Sequence, residues 1–66
     1  MEIVLYDDSG DAVVHQTAPD DAERIDFPSV ESDVVIYSYT LDGVKHVLAE
    51  PLTVRAGHSP RLKLWS

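Results

Sequence analysis

Hydrophobic positions along this chain recur at every second residue or in short β-branched runs, which is the spacing of strands. Almost no stretch shows the spacing of an amphipathic helix. Six segments are predicted to be strands: residues 2–6, 12–17, 33–40, 45–50, 52–56 and 61–65. Short strands at this spacing are typical of a small antiparallel sandwich or barrel, so we expect an all-β domain covering residues 1–66.

One segment, residues 18–26, shows features of a helix start. Pro19 suits a first helical position, and Asp20 with Glu23 has the spacing of a capping box. Only one or two turns fit before the Phe-Pro pair at residues 27–28. The sequence therefore predicts a loop or at most one helical turn near residues 19–25.

Two turns are predicted from their residue types. "DDSGD" at residues 7–11 joins the first two strands, because Asp and Ser cap backbone groups and Gly reaches positive φ. The Asp-Gly pair at residues 42–43 predicts a two-residue hairpin loop. With that loop, Leu41 faces Val44, Tyr39 faces His46 and Tyr37 faces Leu48.

The same alternation places a second set of side chains on the opposite face of this hairpin. Thr40, Ser38 and Lys45 lie there, and so do the apolar residues Val34 and Ile36. We therefore expect the far end of the hairpin to be covered on both sides. Pro51 cannot donate to a ladder and predicts a bend or a crossing to another sheet.

Charge changes the picture of the molecule's partners. The chain has a net charge of −7, but residues 1–42 hold eleven acids and one base, whereas residues 43–66 hold one acid and four bases. The acidic part repels nucleic acid and anionic membranes, and the basic end suits an acidic partner. The absence of cysteine excludes disulfides as a supplement to a core of this size.

No targeting or membrane segment is visible. The first residues, "MEIVLY", carry an acid where a secretory signal carries a base, and their apolar run is too short. No uncharged stretch has the length of a membrane span. We expect a soluble protein located in the cytoplasm or in a virion.

Candidate chemistry is weak. "DDSGD" lacks the calcium-loop pattern, because its glycine precedes the last acid and the residue six positions after Gly10 is Gln16. The histidines His15, His46 and His58 have no metal-ligand spacing. Ser59 directly follows His58, which does not favour a nucleophile and base pair. We predict no catalytic residues, no metal and no cofactor.

The last predicted strand carries the best candidate site. Alternation places Arg61, Lys63 and Trp65 on one face and two leucines on the other. One interpretation is an edge strand whose bases discourage aggregation. The other is a cation and aromatic stripe that docks on an acidic partner or pairs by strand addition. We take Arg61, Lys63 and Trp65 as the candidate partner-binding residues.

These features favour a non-enzymatic structural or interaction module, such as a small subunit of a bacteriophage virion or tail. Its partner would be another protein or a second copy, with no nucleic acid, membrane or small molecule. One alternative is an acidic inhibitor that mimics nucleic-acid charge, which requires acids along one face. Another is a ligand- or sugar-binding module that uses Tyr37, Tyr39, His46 and Trp65, which requires exposed rings.

Overall fold

The computed structural model describes residues 1–64, and within that range the chain forms six strands and no helix. The strands are β1 (Glu2–Tyr6), β2 (Ala12–Thr17), β3 (Arg24–Asp26), β4 (Val34–Leu41), β5 (Val44–Val54) and β6 (Arg61–Lys63). Four of them form a sheet in the order β2-β1-β4-β5, and β3 pairs with β6 in a second sheet. All pairings are antiparallel, so the predicted small all-β fold is confirmed.

The Asp-Gly turn between β4 and β5 forms as predicted. Asp42 has φ 48° and Gly43 has φ 86°, and two positive φ values are the mark of a type I′ turn. Leu41 pairs with Val44 and Tyr39 with His46, as that loop requires. The Asp42 carboxylate also accepts a hydrogen bond of 2.7 Å from the Glu2 backbone N–H, which ties the turn to β1.

The "DDSGD" segment is the turn between β1 and β2. The Asp7 carboxylate accepts hydrogen bonds from the backbone N–H groups of Ser9 at 2.9 Å and Asp11 at 3.0 Å. Gly10 has φ 82° and donates its N–H to the Asp7 carbonyl at 3.1 Å. One carboxylate thus holds the turn closed, as the capping role of Asp predicts.

The predicted alternation along β4 is wrong at its middle. Val34 and Ile36 contact the same core as Tyr39 and Leu41, so the core-facing side changes from even to odd positions at Tyr37. The ladder is irregular there, because Ile36 pairs with Leu52 while Ser38 pairs with Val47. Tyr37 therefore does not face Leu48. Strict alternation predicted apolar side chains on both faces of the hairpin. A bulge in β4 instead turns its apolar side chains toward a single core.

The prediction for Pro51 is half right. The ladder is irregular around it, since residues 48–51 have no regular partner on β4. However, β5 does not cross to another sheet, because residues on both sides of Pro51 pair with β4. β5 is the last strand of its sheet, and an edge is where a strand tolerates proline.

Residues 18–26 contain the strand that the sequence pattern did not predict. Pro19 starts a single turn, in which its carbonyl accepts the Ala22 N–H at 3.1 Å. The chain then enters β3 instead of a helix, and β3 pairs with β6. This ladder continues beyond both strands, since the Leu64 N–H donates to the Glu23 carbonyl at 2.8 Å and the Phe27 N–H to the Pro60 carbonyl at 2.9 Å.

The core lies between the two sheets. The large sheet contributes Ile3, Leu5 and Ile36, all nearly fully buried, and the small sheet contributes Ile25 and Leu62. The remaining buried hydrophobic residues are Phe27, Val30 and Val54. The small sheet thus covers part of one face of the large sheet. The outer face of the small sheet is exposed to solvent.

Candidate functional site

The outer face of the small sheet carries three of the five lysine and arginine residues of the chain, Arg24, Arg61 and Lys63. We call these three residues the basic face. Alternation explains the arrangement, because Ile25 and Leu62 between them point into the core and are buried. The sequence prediction that Arg61 and Lys63 share an outward face is therefore consistent with the exposure of both residues.

Arg24 joins this face because β3 and β6 are in register. It lies directly opposite Lys63, and Asp26 lies directly opposite Arg61. The flanking backbone bonds join residues 23 and 64 and residues 27 and 60, so Arg24 and Lys63 form a non-hydrogen-bonded pair. Side chains are closest at such pairs, with Cβ atoms about 4.5–5.5 Å apart.

The two positions of the ladder differ in charge balance. Arg61 has a carboxylate opposite it, with Nε 3.5 Å from Oδ1 of Asp26, and both side chains are mostly exposed. Arg24 and Lys63 are two cations opposite each other, and neither has an ion-pair partner among residues 1–64. Like charges directly opposite each other destabilise a sheet, and no ion pair of Arg24 or Lys63 within residues 1–64 offsets this repulsion.

The two bases outside the basic face have different surroundings. Arg55 is paired with Asp33, with Nη1 3.5 Å from Oδ2. Lys45 lies on the edge strand β5 opposite Thr40. Sequence reasoning missed Arg24, since finding it required the three-residue strand β3 inside a segment that resembles a helix start. Trp65, the third predicted partner-binding residue, lies outside the described residues.

The histidines do not form a site together. His15 is on β2, His46 is on β5 and His58 is in the loop before β6. Within residues 1–64 no group of three or more His, Asp or Glu side chains is arranged to hold a metal ion. His46 instead stacks on Tyr39, with ring centroids 5.1 Å apart and an interplanar angle of 15°.

A cavity open to solvent borders this stacked pair. Its volume is about 470 Å³, and it is lined by Tyr39, His46, Met1, Leu41, Leu64, Asp20 and Asp42. The Asp20 carboxylate is already bonded to the N-terminal ammonium group at 3.1 Å. The cavity thus has two aromatic rings, an apolar wall and two carboxylates at its border.

Five of the twelve acidic side chains line depressions at the two ends of the large sheet. Asp7, Asp8 and Asp33 line a depression at the end where β1 stops and β4 starts. Asp20 and Asp42 lie around the cavity at the opposite end, where Met1 and Leu41 are. These five carboxylates do not form one row along a single face.

Comparisons with protein-family models, with curated proteins and with solved structures find no match to this chain. In the range 1–64 no helix is long and apolar enough to cross a membrane.

Proposed function

We propose that this protein is a non-enzymatic interaction module, which docks on an acidic protein partner through the basic face. The observation that carries the proposal is the Arg24 and Lys63 pair, two exposed cations that lie opposite each other and form no ion pair with any residue in the range 1–64. A partner carboxylate placed between them would remove the repulsion and form charge-assisted hydrogen bonds. Sites that cost stability in the isolated chain are where function is expected.

A protein partner fits this face better than nucleic acid does. The chain as a whole carries −7, so its long-range field opposes the approach of a polyphosphate. The basic face is small, with three cations and one carboxylate, Asp26, among them. Carboxylates on a protein surface can contact so small a face. Unlike a polyphosphate chain, they need not bring additional negative charge close to the acidic ends of the large sheet.

The partner belongs to a larger assembly in this proposal, and a bacteriophage virion or tail is such an assembly. A chain of 66 residues without cysteine has little core to spare, and association with a partner stabilises the bound state by mass action. Native mass spectrometry of the intact assembly would give the number of copies of this chain in it.

Binding to two defined polyanions tests the docking chemistry. Immobilised poly-L-glutamate stands for an acidic protein surface, and a short DNA duplex stands for nucleic acid. We expect salt-sensitive binding to poly-L-glutamate that the double variant Arg24→Ala/Lys63→Ala weakens about fivefold or more, the equivalent of about 1 kcal/mol.

The double variant Arg55→Ala/Lys45→Ala is the matched control, because it removes the same two positive charges from positions outside the basic face. Equal weakening by this control would show that only the net charge matters. Tighter binding of the wild type to DNA than to poly-L-glutamate would contradict the choice of a protein partner.

The cavity beside Tyr39 and His46 favours a second candidate function, the binding of a small ligand. Such a function requires exposed rings, and Tyr37 is 41% exposed while Tyr39 is half-buried. Amide shifts upon titration with N-acetylglucosamine and with phenylethylamine would test this function. Shifts confined to Tyr39, His46 and Leu41, and lost in Tyr39→Ala, would support it; no shifts with either probe would exclude these two ligand classes.

A further inference from the structure

We propose that Arg24 and Lys63 together bind one phosphorylated side chain of the protein partner. This inference rests on the proposed function, since it names the acidic group that the basic face contacts. Three features of the small sheet carry it: the two cations lie at one point, they form no ion pair within residues 1–64, and carboxylates lie on both sides of them.

The β3–β6 ladder brings the two cations to one point of the outer face. Arg24 and Lys63 lie directly opposite each other as a non-hydrogen-bonded pair, and both are exposed. The Cβ atoms of such a pair are about 4.5–5.5 Å apart, and both side chains leave the sheet on the same side. A guanidinium and an ammonium group can therefore contact a single anionic group from two directions.

The charge at this point is larger than one carboxylate can balance. The ion pairs within residues 1–64 involve Met1, Arg55 and Arg61, so Arg24 and Lys63 present two formal positive charges without an ion-pair partner in that range. A carboxylate carries one negative charge. A phosphoryl group carries about −1.5 to −2 at pH 7 and offers three acceptor oxygens, so it can balance both cations.

Carboxylates on both sides of the pair limit the size of its ligand. On one side, Asp26 is two residues along β3 from Arg24, a distance of about 6.8 Å, and its Oδ1 lies 3.5 Å from Nε of Arg61. In the other direction along the chain, the exposed residues Asp21 and Glu23 precede Arg24. A second acidic side chain beside the first would therefore approach one of these carboxylates.

The two observations together favour a compact dianion. Two neighbouring carboxylates also supply two negative charges, but they spread them over positions where Asp26 or Glu23 repels them. A phosphoryl group brings both charges in one small group. Arginine donates two parallel hydrogen bonds to phosphate oxygens, which are among the stronger hydrogen bonds in proteins, and the lysine ammonium adds a point charge.

Three peptides compare a compact dianion with dispersed charge. Each has two glycines on either side and blocked ends, and the centre is phosphoserine, one glutamate or two adjacent glutamates. The amide shifts of Arg24 and Lys63 report binding in NMR titrations. We expect the phosphoserine peptide to bind at least about fivefold tighter than the two-glutamate peptide, and the one-glutamate peptide to bind most weakly.

The same titrations separate this inference from the proposed function. If the phosphoserine and two-glutamate peptides bind equally, the inference is overturned while docking on an acidic partner still stands. If the phosphoserine peptide causes no shifts at millimolar concentration, the inference is overturned as well. Tighter binding of glycerol phosphate than of the phosphoserine peptide would overturn the choice of a protein-borne group.

Matched variants assign the preference to the pair. Arg24→Ala/Lys63→Ala should abolish the preference for phosphoserine over two glutamates, because both donors are lost. Arg55→Ala/Lys45→Ala removes the same charge from outside the basic face and should keep it. A preference that survives in the first variant, or disappears in the second, would contradict the assignment.

Asp26→Asn tests the limit on ligand size. Loss of this carboxylate should narrow the preference for phosphoserine over two glutamates about twofold, because the second glutamate is no longer repelled. Asp33→Asn is the matched control, since Asp33 forms a similarly exposed ion pair with Arg55, also at 3.5 Å, away from the basic face. Equal narrowing in both variants would show that Asp26 has no such role.

The proton of the phosphoryl group provides a second readout. The second pKa of a phosphomonoester is about 6, so phosphoserine loses nearly one negative charge between about pH 7.5 and pH 5.5. Its affinity relative to the two-glutamate peptide should fall about twofold or more over that range, and the ratio removes the effect of groups that titrate on the protein. A constant ratio would overturn the inference.

Discussion

The two sheets bury side chains in the same core, but they differ in how their strands come together and in what their outer faces carry. The large sheet is built from two hairpins, β1 with β2 and β4 with β5, each joined by a short turn. The small sheet pairs β3 with β6, and all of β4 and β5 lies between them along the chain.

This difference separates the most deeply buried side chains from the face that we propose for docking. The large sheet holds the three most deeply buried side chains, Ile3, Leu5 and Ile36. The small sheet has only three residues in each strand and carries two cations opposite each other on its outer face. We infer that the large sheet supplies most of the free energy of folding. The repulsion between Arg24 and Lys63 in the small sheet costs part of it.

The largest expected effect is at the centre of the large sheet. Ile36 is fully buried, so Ile36→Ala should lower the free energy of unfolding by about 3 kcal/mol, within a range of about 2–5 kcal/mol for such changes. A domain of this size has only a few kcal/mol to lose, so urea titration should find it largely unfolded. Val47→Ala, at a side chain 73% exposed, is the control and should change stability by less than about 0.5 kcal/mol.

Leu62→Ala tests whether the small sheet unfolds cooperatively with the large sheet. Leu62 is 7% exposed and lies in the common core, so the loss should be about 2 kcal/mol. If both sheets unfold together, urea transitions followed by NMR at the amides of Ile36 in the large sheet and Leu62 in the small sheet will coincide. Separate transitions in the wild type would show that the small sheet opens independently, contrary to a shared core.

A third, smaller effect is expected at the turn of the large sheet. Gly43 has φ 86°, and a Cβ atom added to this residue would meet no other atom within 4 Å. Only backbone strain therefore opposes a side chain at this position. Gly43→Ala should cost about 1 kcal/mol. Gly43→Asn, which tolerates this conformation better, should cost less in the same urea titration. Equal losses for both variants would indicate a steric cause.

The smallest effect has the opposite sign and falls on the small sheet. Lys63→Glu replaces the repulsion with Arg24 by an attraction, so stability should rise by about 0.5 kcal/mol. The gain should shrink in 1 M salt, since exposed charges are screened. Arg55→Glu, beside Asp33, should lower stability instead. A loss of stability in Lys63→Glu at low salt would contradict the argument that the basic face costs folding energy.

Local sequence signals predicted the large sheet well and the small one poorly. Asp42-Gly43 fixed the β4–β5 turn because two positive φ values at adjacent positions are accessible to few residue pairs. β3 was missed because Pro19, Asp20 and Glu23 resemble a helix start, and only pairing with the distant β6 makes residues 24–26 extended. The predicted number of strands was nevertheless right, because the prediction missed β3 but divided β5 into two strands at Pro51.

The candidate site was predictable to the same extent. Alternation placed Arg61 and Lys63 on one face, since that inference needs only the neighbouring residues of one strand. The pairing of Lys63 with Arg24 depends on tertiary structure, and so does the change of face at Tyr37. A bulge has no dependable local sequence signal when it lacks glycine, as here.

The long span of chain between β3 and β6 has a consequence for folding order. Closing so large a loop costs entropy before any contact is gained, so the β3–β6 ladder should form late, after the hairpins of the large sheet. Arg24 and Lys63 meet only when that last step is complete. A partner that recognises both cations therefore selects mature molecules over partly folded ones, and its binding slows the first step of unfolding.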